Sequence, residues 1–396
     1  MTIRVRMRQW VAGLLAGVAV SIMTPAVGVA PAVAEDDGFF VPPNPLPAGR
    51  PGDVIRARPS RSGPLLDPAN AWQIMYLSTD GLGQPDAVVA TVLVPRGVDP
   101  ASAPIVGFAA GTQGPAFKCR PSNMLASYSF YEQPAVNEML AAGYAVVVPD
   151  YEGYQPNART TYMVGRSMGP AVLDAIRAAQ RLPDTRLSTS AKVMFRGYSQ
   201  GGGAAMWAGQ LQPTYAPELN LVGVVAGGVP GDLVQVALPL EGGTGFGLLF
   251  YALVGLDNAY PELNLDASLN AAGRAERVAM QDECTLDLLL KYRGKHVSDY
   301  LASSPLVTPP WLARIGENKL GSSAIRVPVY QYHGTQDDLV AFGQAGDLRS
   351  AYCALGVQLT WKTFPSDHIT LVYTGNPDAL AFLKDRAAGR PASSNC

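Results

Sequence analysis

A serine lies at the centre of a short motif that joins a predicted strand to a predicted helix. The apolar run 191–195 comes first, the turn 197–201 (Gly-Tyr-Ser-Gln-Gly) follows, and small helix-compatible residues occupy 203–208. In such a turn the two glycines let strand and helix approach closely, and the hydroxyl of Ser199 is held clear of the backbone. The amide of Gln200 then lies at a helix N-terminus, whose dipole favours negative charge. The motif therefore predicts a nucleophilic serine, although the five residues without this context are a weak signal.

Predicted strands and helices alternate on both sides of the serine motif. Continuous apolar runs separated by helical spacing occur at 105–110, 144–149, 192–196, 221–226 and 327–332. Runs that are apolar on both faces are typical of a parallel sheet that is covered on both sides. We therefore predict an α/β fold with a mostly parallel central sheet and helices on both faces.

Composition limits the classes of partner. Hydrophobic residues make up 48% of the 396-residue chain, charged residues 16%, and the net charge is −2. This length and apolar content suit a globular protein with a large core. Because no basic surface is indicated, we expect no nucleic-acid partner. We expect a monomer.

Residues 1–34 predict a secretion signal peptide. Arg4, Arg6 and Arg8 precede an apolar stretch over 10–23, and residues 32–34 (Ala-Val-Ala) fit a cleavage site. A retained membrane anchor is the alternative, but the apolar run is short and no charge cluster follows it at once. We therefore expect a secreted, extracellular protein.

Domain boundaries follow from changes in pattern. Residues 35–70 are rich in proline and glycine and predict an extended arm without a core of its own, before a hairpin at the edge of the sheet. The strand–helix alternation stops near residue 230, and helical runs fill 231–322. We interpret this insertion as a helical cap on a core formed by 71–230 and 323–396. Its most apolar run, 245–256, is either a buried cap helix or a lid that contacts lipid.

Four cysteines remain in the expected mature chain, namely Cys119, Cys284, Cys353 and Cys396. An even number in an exported protein favours two disulfides. Three pairings are possible. We favour Cys119–Cys284 with Cys353–Cys396, because the second bond would tie the last residue to the domain. The absence of a Cys-x-x-Cys pair argues against a metal site.

A nucleophilic serine needs a base, and the chain has three histidines. His368 follows the last predicted strand, in a loop, and ligands bind beyond the carboxyl ends of parallel strands. We therefore predict that His368 is the base for Ser199. His333 is expected to be structural, with its ring bonded to nearby backbone, and His296 is expected on the surface of the cap.

The base needs an orienting acid. Asp337 lies beyond the strand that ends near His333, and the order Ser–Asp–His is the order that such sheets use. Asp337 is our first candidate and Asp338 the next. Asp367 is expected to cap a loop, and Asp150 to cap the turn after its own strand, with a place in the pocket as the alternative.

Two backbone amides should stabilise the oxyanion. The amide of Gln200 is one candidate. The second should come from the glycine-rich loop 111–114, which follows the predicted strand 105–110. Glycine there would let the backbone approach the substrate. An ordinary glycine turn is the alternative interpretation of this loop.

With these residues assembled, the chain resembles the secretory lipases of the α/β-hydrolase superfamily, the lipase A type. The resemblance covers roughly residues 70–390 and depends on the order of several motifs, which are 111–114 with 119–122, 150–153, 162–165, 197–202 and 333–337. It implies a triad of Ser199, Asp337 and His368, with oxyanion donors at Gln200 and Gly114. It also implies a helical cap between the sixth and seventh core strands and the two disulfides favoured above.

Members of that family hydrolyse carboxylic esters without a cofactor. The resemblance implies a secreted serine ester hydrolase, in particular a lipase for triacylglycerols or other lipophilic esters, with contact between the cap and a lipid interface. Arg120 stands where the family more often has alanine, and a cation near the entrance would favour acidic or polar acyl groups. Alternatives are an esterase for short-chain, wall-lipid or polyester substrates, and a non-catalytic surface protein that keeps the fold.

Overall fold

The computed structural model describes residues 38–63 and 68–396, so the predicted signal peptide lies outside the described residues. A nine-stranded sheet forms the centre of the described chain. Its strands are β1 (Val54–Ser60), β2 (Ala69–Thr79), β3 (Pro85–Pro95), β4 (Ile105–Ala109), β5 (Ala145–Pro149), β6 (Val193–Tyr198), β7 (Leu221–Gly227), β8 (Val329–Gly334) and β9 (Leu359–Phe364).

The spatial order of the strands is β1-β2-β3-β5-β4-β6-β7-β8-β9. The pairs from β1 to β5 are antiparallel, whereas β5, β4, β6, β7, β8 and β9 run parallel to one another. Strands β4, β5 and β6 are buried along their whole length. The predicted α/β fold with a mostly parallel sheet is confirmed, and the β4-to-β6 region lies at its buried centre.

Helices cover the sheet and fill the insertion. They are α1 (Pro121–Ala126), α2 (Gln133–Ala141), α3 (Gly165–Arg181), α4 (Gln200–Tyr215), α5 (Leu233–Leu240), α6 (Phe246–Ala259), α7 (Ala271–Ala279), α8 (Thr285–Lys291), α9 (Val297–Tyr300), α10 (Pro309–Glu317), α11 (Phe342–Ala354), α12 (His368–Thr374) and α13 (Asn376–Ala387). Helices α3 and α4 pack against each other and on β2 to β7, and α2 and α13 form a second contacting pair on the sheet.

The proline-rich segment contributes more than the extended arm that its composition predicts. Residues 54–60 form β1, which pairs with β2 and is the outermost strand on that side. Phe39 and Phe40 pack with Met75 and Val89 in a small hydrophobic cluster. The predicted hairpin is present as β2 and β3, but β1 displaces it from the edge. The sequence of β1 is Val-Ile-Arg-Ala-Arg-Pro-Ser. Its apolar and polar residues alternate too weakly to predict a strand.

Helices α5 to α10 lie between β7 and β8, where the sequence predicts a helical insertion. Because β1 was not anticipated, the expected sixth and seventh strands are β7 and β8. Most residues of a second hydrophobic cluster belong to the insertion, including much of α6 together with Tyr292, Tyr300 and Trp311. Residues 162–164 and 339–340 of the core complete it. Leu233–Leu240 and Pro309–Glu317 are helical although the sequence interpretation missed both. Within the described chain, no helix combines the length and the apolar character that crossing a membrane requires.

Two disulfides join Cys119 to Cys284 and Cys353 to Cys396. The first links the core to the insertion, and the second anchors the chain terminus. Beside β9, Asn395 donates to the carbonyl of Leu359 and its side-chain amide bonds to Trp361 in both directions. The tail therefore occupies backbone groups of β9 that would otherwise form an open sheet edge.

Candidate active site

Ser199 occupies a strained turn between β6 and α4. Its backbone has φ 57° and ψ −123°, on the left-handed side of the map that a non-glycine residue rarely adopts. A side chain at position 197 would overlap the Gly201 carbonyl, and one at position 201 would overlap the carbonyl of Ala109 at the end of β4. The two glycines are therefore required because strand, turn and helix approach one another closely, as the motif predicts.

Two side chains from neighbouring strand ends meet Ser199 in a hydrogen-bonded chain. The Nε2 atom of His368 lies 2.9 Å from the Ser199 Oγ, and its Nδ1 atom lies 2.7 Å from Oδ2 of Asp337. Ser199 follows β6, Asp337 follows β8, and His368 follows β9. Because these strands are parallel, their carboxyl ends bring the three residues to one edge of the sheet. His368 begins α12 and is not in the loop that the sequence predicts.

Asp337 is held as a buried carboxylate. Its Oδ1 accepts the backbone N–H groups of Leu339 and Val340, at 3.0 and 2.8 Å. Burial opposes ionisation of Asp337, but the hydrogen bonds from His333 and His368 outweigh it and hold the pKa of Asp337 well below its ordinary value. The carboxylate is therefore charged and fixed where it can orient the His368 ring.

The neighbouring acids have other contacts. Asp338 is exposed and meets the hydroxyl of Thr244 at 3.4 Å. Asp367 accepts the Thr370 N–H and so caps the helix α12, where the sequence predicts the cap of a loop. Of the three acids near the candidate base, the structure brings only Asp337 to the ring of His368.

His333 contacts the same acid, which the sequence interpretation did not anticipate. Its Nε2 lies 2.8 Å from the Val340 carbonyl, in line with the expected backbone bond, and 3.2 Å from Oδ2 of Asp337. The ring is fully buried. The four-residue spacing between His333 and Asp337 across a tight strand-end turn is the signal that could have found this contact. His296, by contrast, is exposed on the insertion beside Glu241.

The two expected oxyanion donors have free N–H groups. Gln200 is the first residue of α4, and Gly114 ends the loop 111–114 with φ 99°. Within residues 38–63 and 68–396, neither backbone N–H has a protein acceptor. A first-turn helix N–H has no intrahelical partner, so the amide of Gln200 is available to an anion.

Buried polar side chains hold the loop 111–114, although no sequence pattern indicated these contacts. Glu132 accepts the Gly111 N–H at 2.7 Å, Tyr162 bonds the Thr112 hydroxyl at 2.9 Å, and Tyr154 donates to the Gly114 carbonyl. Burial raises the pKa of Glu132 to about 8, against the opposing effect of its hydrogen bond from Gly111. These contacts fix the loop from the core side.

Asp150 does not cap the turn after its own strand. It is buried and accepts the N–H and the hydroxyl of Ser122 in the first turn of α1, both at 2.6 Å. Burial raises its pKa to about 7. Asp150 therefore ties β5 to α1, and it does not line the cavity beside Ser199.

Arg120 is not a cation at an entrance, as its sequence position had suggested. Only 5% of the residue is exposed. Its guanidinium lies 4.1 Å from the ring centroid of Phe40 and 3.9 Å from that of Phe117, and it donates to the Phe117 carbonyl. The guanidinium stacks on two aromatic rings inside the structure and does not face an entrance. Arg120 therefore gives no basis for a preference for acidic acyl groups.

A narrow apolar cavity of about 50 Å³ adjoins Ser199 and Gln200. Helices α5 and α6 form one wall, and the loop after Asp337 forms another. The apolar lining residues are Tyr162, Met163, Pro230, Leu233, Val236, Ala237, Leu240, Leu248, Leu249, Ala252, Leu339 and Val340. A larger groove of about 720 Å³ lies between the β2–β3 turn, α4 and α10, but Ser199 does not line it. Of these two spaces, the small apolar cavity is the one that adjoins Ser199.

Comparisons with known proteins identify the family of the chain. The family model described as secretory lipase matches residues 119–395. A chain named a probable inactive lipase of Mycobacterium tuberculosis is 31% identical over 93% of this chain and 85% of its own length. A secreted triacylglycerol lipase of Malassezia furfur is 28% identical over 91% of this chain and 77% of its own.

The X-ray structure of Candida antarctica lipase A in its closed state is 27% identical in sequence. It superposes with a TM-score of 0.82 over 91% of this chain and 87% of that one. The family match and the structural likeness both cover most of the described chain. The chain therefore belongs to the secretory lipase family and is a serine ester hydrolase with the α/β-hydrolase fold.

Proposed function

We propose that this enzyme hydrolyses lipophilic carboxylic esters, triacylglycerols among them, with Ser199 as nucleophile, His368 as base and Asp337 as orienting acid. The observation that carries the proposal is the hydrogen-bonded chain from Asp337 through His368 to Ser199, at the foot of an apolar cavity. The residue roles rest on this geometry, and the substrate class rests on the cavity and on the name of the Malassezia relative.

In the proposed reaction, Ser199 Oγ attacks the ester carbonyl while His368 Nε2 takes the hydroxyl proton. Asp337 stabilises the imidazolium that forms. The amides of Gln200 and Gly114 donate to the oxyanion of the tetrahedral intermediate. His368 then protonates the departing alcohol, and an acyl-enzyme remains. Water, deprotonated by His368, releases the acid and restores the serine.

The described cap residues support a lipophilic substrate. Helices α5 and α6 cover the site with aliphatic side chains, and no charged residue lines the cavity. Two pairs of large hydrophobic residues, each spaced four apart on one helix, are solvent-exposed, namely Val234 with Leu238 and Leu286 with Leu290. Exposed apolar pairs of this kind are suited to contact with a lipid surface. The division into a core (71–230 and 323–396) and a cap (231–322) is part of this proposal.

Export is the remaining part of the proposal. Membership of a secretory family fits an extracellular enzyme. The basic and apolar segments within residues 1–34 would serve as a signal peptide that is removed before Glu35. N-terminal sequencing of the protein recovered from the culture medium tests this: a first residue other than Glu35 moves the cleavage site, and a cell-retained full-length chain contradicts it.

A fluorophosphonate probe tests the nucleophile. We expect stoichiometric labelling of Ser199 in the folded enzyme, and Ser199→Ala should lose both labelling and turnover of p-nitrophenyl esters, by about 10⁶-fold in kcat. Ser366→Ala, which alters a hydroxyl in the loop before the base, is the matched control. Equal ester turnover by wild type and Ser199→Ala would contradict the proposal and favour a non-catalytic role, which one relative's name makes a concrete alternative.

A further inference from the structure

A residue of the cap, Thr285, bonds to two successive carbonyls of the loop 111–114. Its backbone N–H donates to the Gln113 carbonyl at 3.0 Å, and its hydroxyl donates to the Thr112 carbonyl at 2.6 Å. We infer that Thr285 is a positioning residue for ester hydrolysis, because it fixes the direction of the Gly114 N–H. The inference rests on the proposed function, in which that N–H stabilises the oxyanion.

The planar peptide group couples the direction of the Gln113 carbonyl to that of the Gly114 N–H. The Gln113 C=O and the Gly114 N–H belong to the same planar unit, and in a trans peptide they point in opposite directions. A bond that holds the carbonyl towards Thr285 therefore turns the N–H away from Thr285. The hydroxyl bond to Thr112 fixes the preceding peptide unit in the same way, and Tyr154 holds the Gly114 carbonyl that follows.

Packing supports the same arrangement. A Cβ atom at position 114 would lie only 2.7 Å from backbone atoms of Cys284 and Glu283. The Ala116 N–H donates to the Glu283 carbonyl at 3.2 Å, and Cys119 is disulfide-bonded to Cys284. Three consecutive cap residues, 283–285, thus contact the loop or the segment directly after it. Thr285 bonds to the loop, Glu283 accepts from Ala116, and Cys284 is covalently bonded to Cys119. The loop is held from both sides, by Tyr154 and Glu132 of the core and by Thr285 of the cap.

The contacts of residues 283–285 limit how the cap can move. An oxyanion donor is effective only when it is held in place before the reaction. If the whole cap moved away, Thr285 would release the Gln113 carbonyl and the Gly114 N–H would lose its fixed direction. Any opening that admits a substrate must therefore leave Cys284 and Thr285 in place and displace other parts of the cap.

Substitutions at position 285 can remove the two bonds stepwise. Thr285→Ser keeps both donors, Thr285→Val removes the hydroxyl, and Thr285→Pro removes the hydroxyl and the N–H. Helix α8 itself tolerates proline here, because Thr285 is its first residue and the N–H has no intrahelical partner. The proline ring would, however, displace the Gln113 carbonyl that this N–H now holds. The preceding Cys284 has φ −94° and ψ 173°, which a following proline favours. Thr308→Val is the matched control, since it removes a hydroxyl-to-carbonyl bond elsewhere in the cap.

We expect kcat on p-nitrophenyl butyrate to fall about 10-fold in Thr285→Val and about 10²–10³-fold in Thr285→Pro, the loss seen when an oxyanion donor is removed. KM should change little. The inhibition constant of a butyl boronic acid, which forms a tetrahedral adduct with the serine, should rise in parallel with the loss of kcat. Thr285→Ser and Thr308→Val should remain close to wild type in both measurements.

Unchanged kcat and boronic-acid inhibition in a folded Thr285→Pro enzyme would overturn the inference. If Thr285→Pro does not fold, Thr285→Val provides the test. A wild-type kcat in Thr285→Val would also overturn the inference. A loss of thermal stability without a loss of kcat assigns Thr285 a merely structural role. Ser199→Ala, assayed alongside, separates this result from failure of the proposed function, because an active Ser199→Ala enzyme would refute the triad itself.

Discussion

Two carboxyl groups of the core and two of the cap have pKa values shifted in opposite directions. In the core, burial raises the pKa of Glu132 to about 8 and that of Asp150 to about 7, although both accept hydrogen bonds. In the cap, burial also opposes ionisation of Glu262 and Glu276. There, however, bonds from Arg314 to Glu262 and from Lys291 to Glu276 outweigh burial and lower both pKa values. Burial thus dominates at these two core acids, unlike at Asp337, whereas these two cap acids are paired with cations.

This difference parallels the roles that we propose for the two regions, with the reaction in the core and ester selection in the cap. The two enclosed carboxyls hold main-chain segments of the core: Glu132 accepts the N–H of Gly111 in the loop 111–114, and Asp150 accepts the N–H of Ser122 in α1. The ion pairs of the cap lie on a small apolar layer that covers the site and shapes the cavity. We expect core substitutions to change the rate of reaction and its dependence on pH. Cap substitutions should change which ester is accepted and how stability responds to salt.

The largest effect should come from the acid of the core. Asp337→Asn should reduce kcat on p-nitrophenyl butyrate by about 10⁴-fold, because the amide can stabilise neither the required tautomer of His368 nor its charged form. Asp338→Asn is the matched control, since Asp338 is exposed and does not contact the ring. Steady-state kinetics decide the assignment: an equal loss in Asp338→Asn would move the triad acid to that residue.

Filling the cavity in the cap should give the next largest effect. Ala237 lines the cavity, so Ala237→Phe should lower kcat/KM for a dodecanoyl ester at least about 10-fold more than for an acetyl ester. Its neighbour Leu238 is 69% exposed, and Leu238→Phe should leave the ratio unchanged. An acyl-chain-length profile measures both. A uniform loss across chain lengths in Ala237→Phe would show that the cavity does not hold the acyl chain.

Stability should fall with rising pH because of the enclosed acids of the core. The pKa of Glu132 is about 8 in the folded chain and near 4.3 when unfolded. Between these values the folded chain binds the proton that the unfolded chain releases. Rising pH therefore favours unfolding until about pH 8, where the loss is complete. Glu132→Gln, which mimics the protonated acid, should flatten the decrease in Tm between pH 5 and pH 8.

Glu262→Gln, in the cap, is the matched control for the effect of Glu132→Gln on the pH dependence of Tm. The pKa of Glu262 is lowered by its partner Arg314, so its contribution is lost only at acidic pH and its removal should leave the decrease between pH 5 and pH 8 intact. Thermal unfolding followed by circular dichroism at each pH measures both variants. A Glu132→Gln profile as steep as that of wild type would show that Glu132 is not enclosed as a neutral acid.

The sequence predicted the parts of the site that local geometry determines. The residues of the serine turn, the strand-end position of Asp337 and the small number of histidines were sufficient to select the three residues that the structure brings together. Chain order and strand polarity carry that information, because parallel strands place their carboxyl ends at one edge. The same logic predicted the parallel sheet and the helical insertion.

Contacts between distant segments could not be predicted in this way. Thr285 lies more than 170 residues beyond the loop it holds. The favoured Cys119–Cys284 pairing brings its neighbour near residue 119, but no sequence pattern indicates the two hydrogen bonds of Thr285. Glu132 and Arg120 look like surface residues in the sequence, yet burial and aromatic stacking determine their roles. Strand β1 contains two arginines and a proline, so pairing with β2 overrides its weak local preference.

The smallest effect should come from the ion pairs of the cap. Arg314 bonds Glu262 and Glu317, which are both solvent-accessible, so Arg314→Gln should cost about 0.5–1 kcal/mol of stability at low ionic strength. Screening should reduce that loss in 0.5 M NaCl to a fraction of its low-salt value. Denaturant unfolding at the two salt concentrations measures it. A loss that does not respond to salt would instead be assigned to the Arg314 guanidinium over the Tyr260 ring, 4.4 Å from its centroid, and the cap would then resemble the core in relying on enclosed contacts.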